Sequence, residues 1–242
     1  MNTSSYLERL KPDKRTVSPC INCLLETEER VAEGDFSRFA LGDRLWYSTF
    51  QQEILVLEQV LKTYHPQSIL EVGSGTGRVI KSVLDILPNV YVTGTELNEI
   101  TFNFVRQRFL CDARVSIEKV NIVDYLKNSP HYDMALCLMN TFGNINDQNV
   151  FSGLLNCADY FVFSLYNRDF DFQRDLMYKA RGHTHFEFKD NRYCFEDSWV
   201  KGLVSRSYTD DEIKELVASA GSQIVEFKNL GMLFFVVASK SK

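Results

Sequence analysis

The sequence predicts an α/β fold, a doubly wound and mostly parallel seven-stranded sheet with a C-terminal antiparallel hairpin strand. Three observations carry that prediction. Short apolar runs alternate with helical stretches between residues 68 and 166, the pattern of strand–helix–strand units. The first run ends in a glycine-rich turn that opens directly into a helix, Ile69-Leu70-Glu71-Val72-Gly73-Ser74-Gly75-Thr76-Gly77. The last two runs are joined only at Gly231, too short a link for a parallel crossover, so the final strand runs antiparallel to its neighbour.

The elements follow in order. Residues 1–44 are mostly polar, contain Pro12 and Pro19, and read as an N-terminal arm with a short helix over 24–32. Leu45, Ile54, Leu55, Leu57, Val60 and Leu61 recur at helical spacing, and Pro66 stops that helix after 45–64. Strands are predicted at 68–72, 90–95, 115–120, 132–139 and 160–166, with helices at 78–87 (ended by Pro88), 98–111 and 148–157. Thr209 caps a helix over 210–220 that closes at Gly221, and strands 223–230 and 232–239 finish the chain. One domain thus spans 45–242, with an insertion after the fifth strand. That insertion, 168–207, is too long for a simple connection; it holds a helix at 170–180 and strand-like stretches at 185–188, 192–195 and 199–205. Ligands of open parallel sheets bind at the carboxyl edge, so the insertion reads as a substrate cap.

Composition narrows the function classes. The 242 residues suffice for one sizeable domain with a modest appendage, and 45% hydrophobic with 24% charged residues is the balance of a soluble globular protein. Eighteen Phe and eleven Tyr point to an aromatic-lined core or pocket. A net charge of -5 argues against nucleic acid as a partner, because phosphate neutralisation needs a basic face. No apolar run approaches the ~20 residues that span a bilayer, and residues 1–14 lack the apolar core of a secretory signal. A cytoplasmic protein without a membrane partner is expected, its oligomeric state open. Cysteines at 20, 23, 111, 137, 157 and 194 read as buried free thiols. Cys20-x-x-Cys23 has no second pair at zinc-site spacing, so no metal site is expected.

The glycine-rich turn carries the chemistry. A strand that turns sharply into a helix against a ligand needs positive φ angles and missing side chains, which glycine supplies. A dinucleotide fingerprint would require glycine where Arg78 stands, and no Gly-Lys-Ser/Thr follows to make a phosphate loop. Glu96 ends the second strand about 20 residues beyond the glycines, where an acidic side chain accepts both hydroxyls of a ribose. Its alternative role is an acidic cap for the following helix.

Glu71-Val72-Gly73-Ser74-Gly75-Thr76-Gly77 resembles the first motif of class I S-adenosylmethionine-dependent methyltransferases. The resemblance implies a Rossmann-like methyltransferase fold with S-adenosylmethionine as cofactor. It places Glu71 under the loop near the cofactor's amino end, and Gly73, Ser74, Gly75 and Gly77 around the cofactor. Glu96 and Leu97 would lie at the ribose, and Asn121 and Ile122 at the adenine, with Asp124 as an alternative to Asn121. Met139 would join them from the loop 138–144, Leu-Met-Asn-Thr-Phe-Gly-Asn. That loop lacks the Asp/Asn-Pro-Pro-Tyr/Phe of nucleic-acid adenine methyltransferases, and Pro19-Cys20 lies too early to serve a cytosine-carbon enzyme. Over a few residues it is similar to the glycine N-methyltransferase group.

Methyl transfer to an activated sulfonium carbon needs alignment and desolvation, and a base only where the nucleophile must lose a proton. The candidates for acting on the acceptor are Tyr166 and Asn167, at the end of the fifth strand before Arg168, and His183 and His185. His183, His185 and Glu187 alternate, so on a strand they share a face opposite Phe186 and Phe188. The competing reading of that face is a solvated hairpin surface. Trp46 and Tyr47 either close over the cofactor or pack as ordinary aromatics. The expected function is transfer of the S-adenosylmethionine methyl group to a nitrogen or oxygen of a small molecule. A protein or RNA methyltransferase and a non-catalytic S-adenosylmethionine-binding regulatory protein are the alternatives.

Overall fold

The computed structural model describes residues 41–180, 183–196 and 202–241, with backbone only at 41–47 and 180. The predicted arm helix, Cys20, Cys23 and the Trp46 and Tyr47 side chains lie outside the described parts. The chain enters on a long helix, α1 (Leu41–Tyr64). Strands β1 (Ser68–Val72), β2 (Tyr91–Glu96), β3 (Val115–Lys119), β4 (Tyr132–Cys137) and β5 (Ala158–Asn167) then pair in parallel in the order β3-β2-β1-β4-β5. The order reverses at β1 and β4, which opens a crevice at their carboxyl ends. Helices α2 (Arg78–Ile86), α3 (Glu99–Arg108), α4 (Ile122–Tyr125), α5 (Thr141–Ile145) and α6 (Gln148–Cys157) fill the connections.

After β5 come a 3₁₀ turn (Arg168–Phe170) and α7 (Asp171–Ala180), then β6 (Phe186–Lys189), β7 (Arg192–Phe195) and β8 (Val204–Tyr208). These three strands form an antiparallel ladder, and β8 joins the main sheet only at the tip of β5, Tyr166 opposite Ser207. Helix α8 (Asp210–Ser219) starts in a capping box, Thr209 with Glu212. The hairpin of β9 (Ser222–Asn229) and β10 (Leu233–Lys240) returns antiparallel to β5, completing a seven-stranded main sheet.

Alternation along the central strands divides the core into two layers. Met134, Leu136 and Val162 face α1, α2 and α3, packing with Leu57, Leu61, Ile80 and Val105. Ala135, Phe161 and Phe163 face α6 and α8, packing with Phe151, Leu154 and Ile213. Strands buried on both faces read as continuous apolar runs, which is why the sequence reveals them. Each such Leu or Phe contributes about 1.5–3 kcal/mol through burial. A third cluster under the insertion gathers Tyr166, Met177, Tyr178, Tyr193 and Phe195.

Several expectations are corrected. The fourth strand stops at Cys137 rather than residue 139, because Met139 and Asn140 take left-handed φ of 50° and 60°. The short helices α4 and α5 were not anticipated; the Asn121 side chain caps α4, and α5 is flanked by Asn140 and Asn146, both in the left-handed region. The third helix ends at Arg108, so Cys111 falls in an exposed turn instead of a buried helix, and Cys194 is half-buried. Cys137 and Cys157 are buried as expected.

Candidate functional site

The glycine loop leaves β1 at Val72 and is strapped to the end of β2. The amides of Gly73 and Ser74 both donate to the Thr95 carbonyl, at 2.9 and 3.0 Å. Gly75 N donates to Glu96 Oε2 at 2.9 Å, while Glu96 Oε1 accepts from Asn98 N at 2.8 Å. Arg108 Nη1 reaches from α3 to the Thr76 carbonyl at 2.8 Å. The φ angles of Gly73 and Gly75 are 72° and 55°, a region where a side chain is strained. A Cβ on Gly75 would meet nothing closer than the Gly73 carbonyl at 3.9 Å, so the space over the loop is open. A Cβ on Gly73 would sit 2.8 Å from Thr141 Cγ2, which fixes how closely the loop after β4 approaches.

Three carboxylates surround this loop. Glu71 is buried, and loss of water raises its carboxyl to about 8, against the pull of the nearby Ser74 hydroxyl and Arg78. Glu71 Oε2 and Ser74 Oγ are buried with no hydrogen-bond partner other than each other among the described residues. Burial also raises the Glu96 carboxyl, partly offset by the amides of Asn98, Gly75 and Leu97. The third, Glu53 on α1, is fully buried and was not singled out from the sequence. Its Oε2 accepts from Arg78 Nη2 at 3.0 Å and its Oε1 from Met139 N at 2.8 Å and from the Ser164 hydroxyl. The Arg78 guanidinium lies over the Phe50 ring, 3.2 Å from its centroid. The available signal was spacing: Glu53 shares a helix face with Leu57 and Leu61, and a carboxylate on an apolar face must be compensated.

The loop after β4 is held under strain. Met139 and Asn140 are consecutive non-glycine residues in the left-handed region, and such strain persists only where its surroundings impose it. Met139 N is fixed by Glu53 and by Ser164 Oγ at 2.7 Å. Asn140 is fully buried; its Oδ1 accepts from Tyr166 N at 3.0 Å and its Nδ2 donates to Ser205 Oγ at 3.1 Å. One side chain therefore ties β4, β5 and the insertion together.

Among the sequence candidates, Glu71, Gly73, Ser74, Gly75, Gly77, Glu96 and Leu97 form one unit at the carboxyl edge of β1 and β2. Val120 N donates to the Glu96 carbonyl at 3.3 Å, which brings the turn at Asn121 beside that unit. Asn121 Oδ1 caps α4 by accepting from Val123 N at 3.0 Å, and Ile122 is buried in the core layer with Leu70 and Val72. Asp124 is exposed and paired with Lys127 at 2.7 Å. Met139 lies opposite, through the contact between Thr141 and Gly73.

The acceptor-side candidates separate. Tyr166 is buried with the Arg174 guanidinium 4.9 Å from its ring centroid. Asn167 spends its side chain on structure, donating to the Gly231 carbonyl at 3.0 Å and accepting from Asp169 N at 3.1 Å. His183 and His185 do not share a strand face, because β6 begins only at Phe186. His183 is buried against Tyr178 and Phe195, ring centroids 5.7 and 4.8 Å away. His185 is exposed, its Nδ1 2.8 Å from Thr184 Oγ1.

No protein-family model and no curated protein matches the sequence. Solved structures do resemble it. An S-adenosylmethionine-dependent methyltransferase from Clostridium acetobutylicum aligns with a TM-score of 0.64 at 11% identity, covering 92% of this chain and 100% of the other. Magnesium protoporphyrin IX methyltransferase from Synechocystis, with bound S-adenosylhomocysteine, gives 0.62 at 13% identity over 95% of this chain and 100% of its own. The CcbJ methyltransferase from Streptomyces caelestis gives 0.57 at 16% identity, over 78% and 89%. At these identities the likeness establishes the fold: the chain has the Rossmann-like fold of class I S-adenosylmethionine-dependent methyltransferases. The narrower similarity of 138–144 to the glycine N-methyltransferase group has no counterpart among these three.

Proposed function

We propose that the chain is an S-adenosylmethionine-dependent methyltransferase acting on a nitrogen or oxygen of a small molecule. The observation that carries this reading is the union of the glycine loop with the Glu96 carboxylate through the Gly75 amide. The residues present fit the cofactor. Open space lies over Gly75, and the buried Glu71 Oε2 and Ser74 Oγ, with no partner beyond each other among the described residues, suit an amino group. Glu96 retains lone pairs beyond the amide bonds it accepts, enough to accept ribose hydroxyls. Asn121, Ile122, Leu97 and Met139 border the remainder of that site. When bound, S-adenosylmethionine supplies a methyl group on an activated sulfonium. The chain's own contribution is to align the acceptor and exclude water.

Residues 168–207 form the substrate cap in this reading, and 1–44 the arm before the domain. Tyr166, at the tip of β5, positions the acceptor, and Asn167 and His183 support the cap through the packing described above. His185 stays exposed at the cap's edge. No helix among the described residues is long and apolar enough to cross a membrane. Calorimetric titration of S-adenosylmethionine and S-adenosylhomocysteine tests the reading, with Glu96→Ala beside the parent chain. Micromolar binding that collapses in the variant supports it. A folded parent that binds neither ligand refutes it, and tight binding without turnover on amines, phenols or carboxylic acids would favour the regulatory alternative.

A further inference from the structure

A guanidinium stands where three carboxylates converge. Glu71 follows Ile69 by two residues on β1, so it shares the sheet face that packs against α1 and α2. Glu53 reaches the same place from α1, and Arg78 opens α2 directly after Gly77. Burial raises the Glu71 carboxyl; the Ser74 hydroxyl and the Arg78 charge pull it down, while Glu96 and Glu53 add to the rise. Arg78 Nη2 donates to Glu53 Oε2 at 3.0 Å, and Glu53 Oε1 accepts from Met139 N at 2.8 Å. One carboxylate thus links the guanidinium to the loop after β4, whose Thr141 lies against Gly73. Both ends of the glycine loop, Gly73 and Arg78, are joined in this way through Glu53. Phe50 covers the guanidinium at 3.2 Å from its ring centroid, and 16% of the Arg78 side chain remains exposed. On the β2 side the loop meets the Glu96 carboxylate. On the α1 side it meets carboxylates together with a fixed cation.

The cofactor of the proposed function ends in an α-amino acid, an ammonium beside a carboxylate. With its ribose at Glu96, that end lies toward Glu71. The ammonium suits Glu71, but a ligand carboxylate set among Glu71, Glu53 and Glu96 without a cation would be repelled. We propose that Arg78 receives the carboxylate of the cofactor's amino-acid end while Glu71 receives the ammonium, so that the two select a zwitterion. The assignment rests on the methyltransferase reading. A guanidinium carries five N–H donors in a planar fork, so it can serve two carboxylates, Glu53 along one edge and the ligand along another. Glu53 and Phe50 hold it in place beforehand, which lowers the cost of ordering a long side chain on binding. Arg108 is the competing cation; it reaches the loop from α3 and donates to the Thr76 carbonyl.

The test is calorimetry on the full chain with S-adenosylhomocysteine, its decarboxylated analogue, and 5′-methylthioadenosine, which lacks the amino-acid end. The parent should bind S-adenosylhomocysteine roughly 10-fold or more tighter than the decarboxylated analogue, the worth of a charge-assisted hydrogen bond. Arg78→Met should abolish or invert that preference and leave 5′-methylthioadenosine affinity unchanged. A residue that only supports the fold would weaken all three ligands alike. Because Arg78→Met strands the Glu53 carboxylate, Glu53→Gln is compared with Glu53→Gln plus Arg78→Met. The first should keep the preference and the second lose it. A preference that survives loss of Arg78, equal weakening of all three ligands, or a preference removed by Arg108→Met instead overturns the assignment. So does a parent that binds 5′-methylthioadenosine and does not distinguish the other two. A folded parent that binds none of the three overturns the methyltransferase reading itself, and the assignment with it.

Discussion

The carboxylate of Glu96 accepts the amide of Gly75 at 2.9 Å, so the end of β2 holds the glycine loop of β1 in place before any ligand arrives. The same carboxylate caps the turn into α3 through Asn98 N. The helix-cap role and the proposed cofactor role are therefore not rivals. Charge-assisted hydrogen bonds are each worth about 1.5–3 kcal/mol. Glu96→Ala should weaken S-adenosylhomocysteine binding roughly 10- to 100-fold. Glu96→Gln, which keeps one acceptor oxygen, should fall between; calorimetry that finds Ala equal to the parent would remove Glu96 from the site.

In the proposed site, Glu71 is expected to make cofactor binding depend on pH. Its carboxyl titrates at about 8 because burial penalises the charge, whereas the unfolded chain ionises it near 4.5. The folded protein thus holds a proton that the unfolded chain releases between those values. The associated stability is complete below about pH 4.5 and is lost as pH rises through about 8. Tm of the parent should fall across that window more steeply than Tm of Glu71→Gln. A ligand ammonium needs the carboxylate form, so cofactor affinity should increase from about pH 6 to 8 and proton release should accompany binding. A flat profile, unchanged by Glu71→Gln, would show that Glu71 has no part in binding.

Glu53 is a buried carboxylate with an ion pair, an amide and a hydroxyl on it. Removing one partner of a buried pair costs about 3–5 kcal/mol, because the other charge is stranded. Urea unfolding of Glu53→Ala should show a loss of that size, and Glu53→Ala with Arg78→Met should lose less than the two single changes added together. Strict additivity would mean that the pair contributes nothing in common.

Gly73→Ala tests the approach of the two loops. The new Cβ would lie 2.8 Å from Thr141 Cγ2 and would sit at φ 72°, a backbone cost of about 1–2 kcal/mol in itself. Adding Thr141→Ser removes the colliding methyl. The double variant should recover part of the lost Tm and of the lost cofactor affinity, the backbone share remaining. No recovery would place the damage in the backbone alone.

Much of the site was legible in order along the chain. The glycine spacing, the acidic residue ending β2 and the Gly231 link are local signals, because turn chemistry and strand ends depend on neighbours in sequence. Met139 and Asn140 were less so: strand propensity continued the fourth strand through them, and only Glu53, Ser164 and Tyr166, far away in the chain, impose the left-handed turn. The histidines failed for a related reason. Alternation placed His183 and His185 on one face, but the ladder starts at Phe186, and a strand's beginning is set by its partner.

By itself the sequence determined the α/β class, the mostly parallel sheet with its antiparallel close, and the loop from Glu71 to Gly77. Periodicity and glycine spacing express preferences that act over a few residues. Only the tertiary structure decided that Glu53 would join Arg78, Met139 and Ser164, that Asn140 would tie β4 to the insertion, and that Lys189, Arg192 and Arg206 would stand in a row. Those relations depend on burial by distant elements and, for Lys189, Arg192 and Arg206, on strand register, where a shift of one residue would turn a side chain to the opposite face.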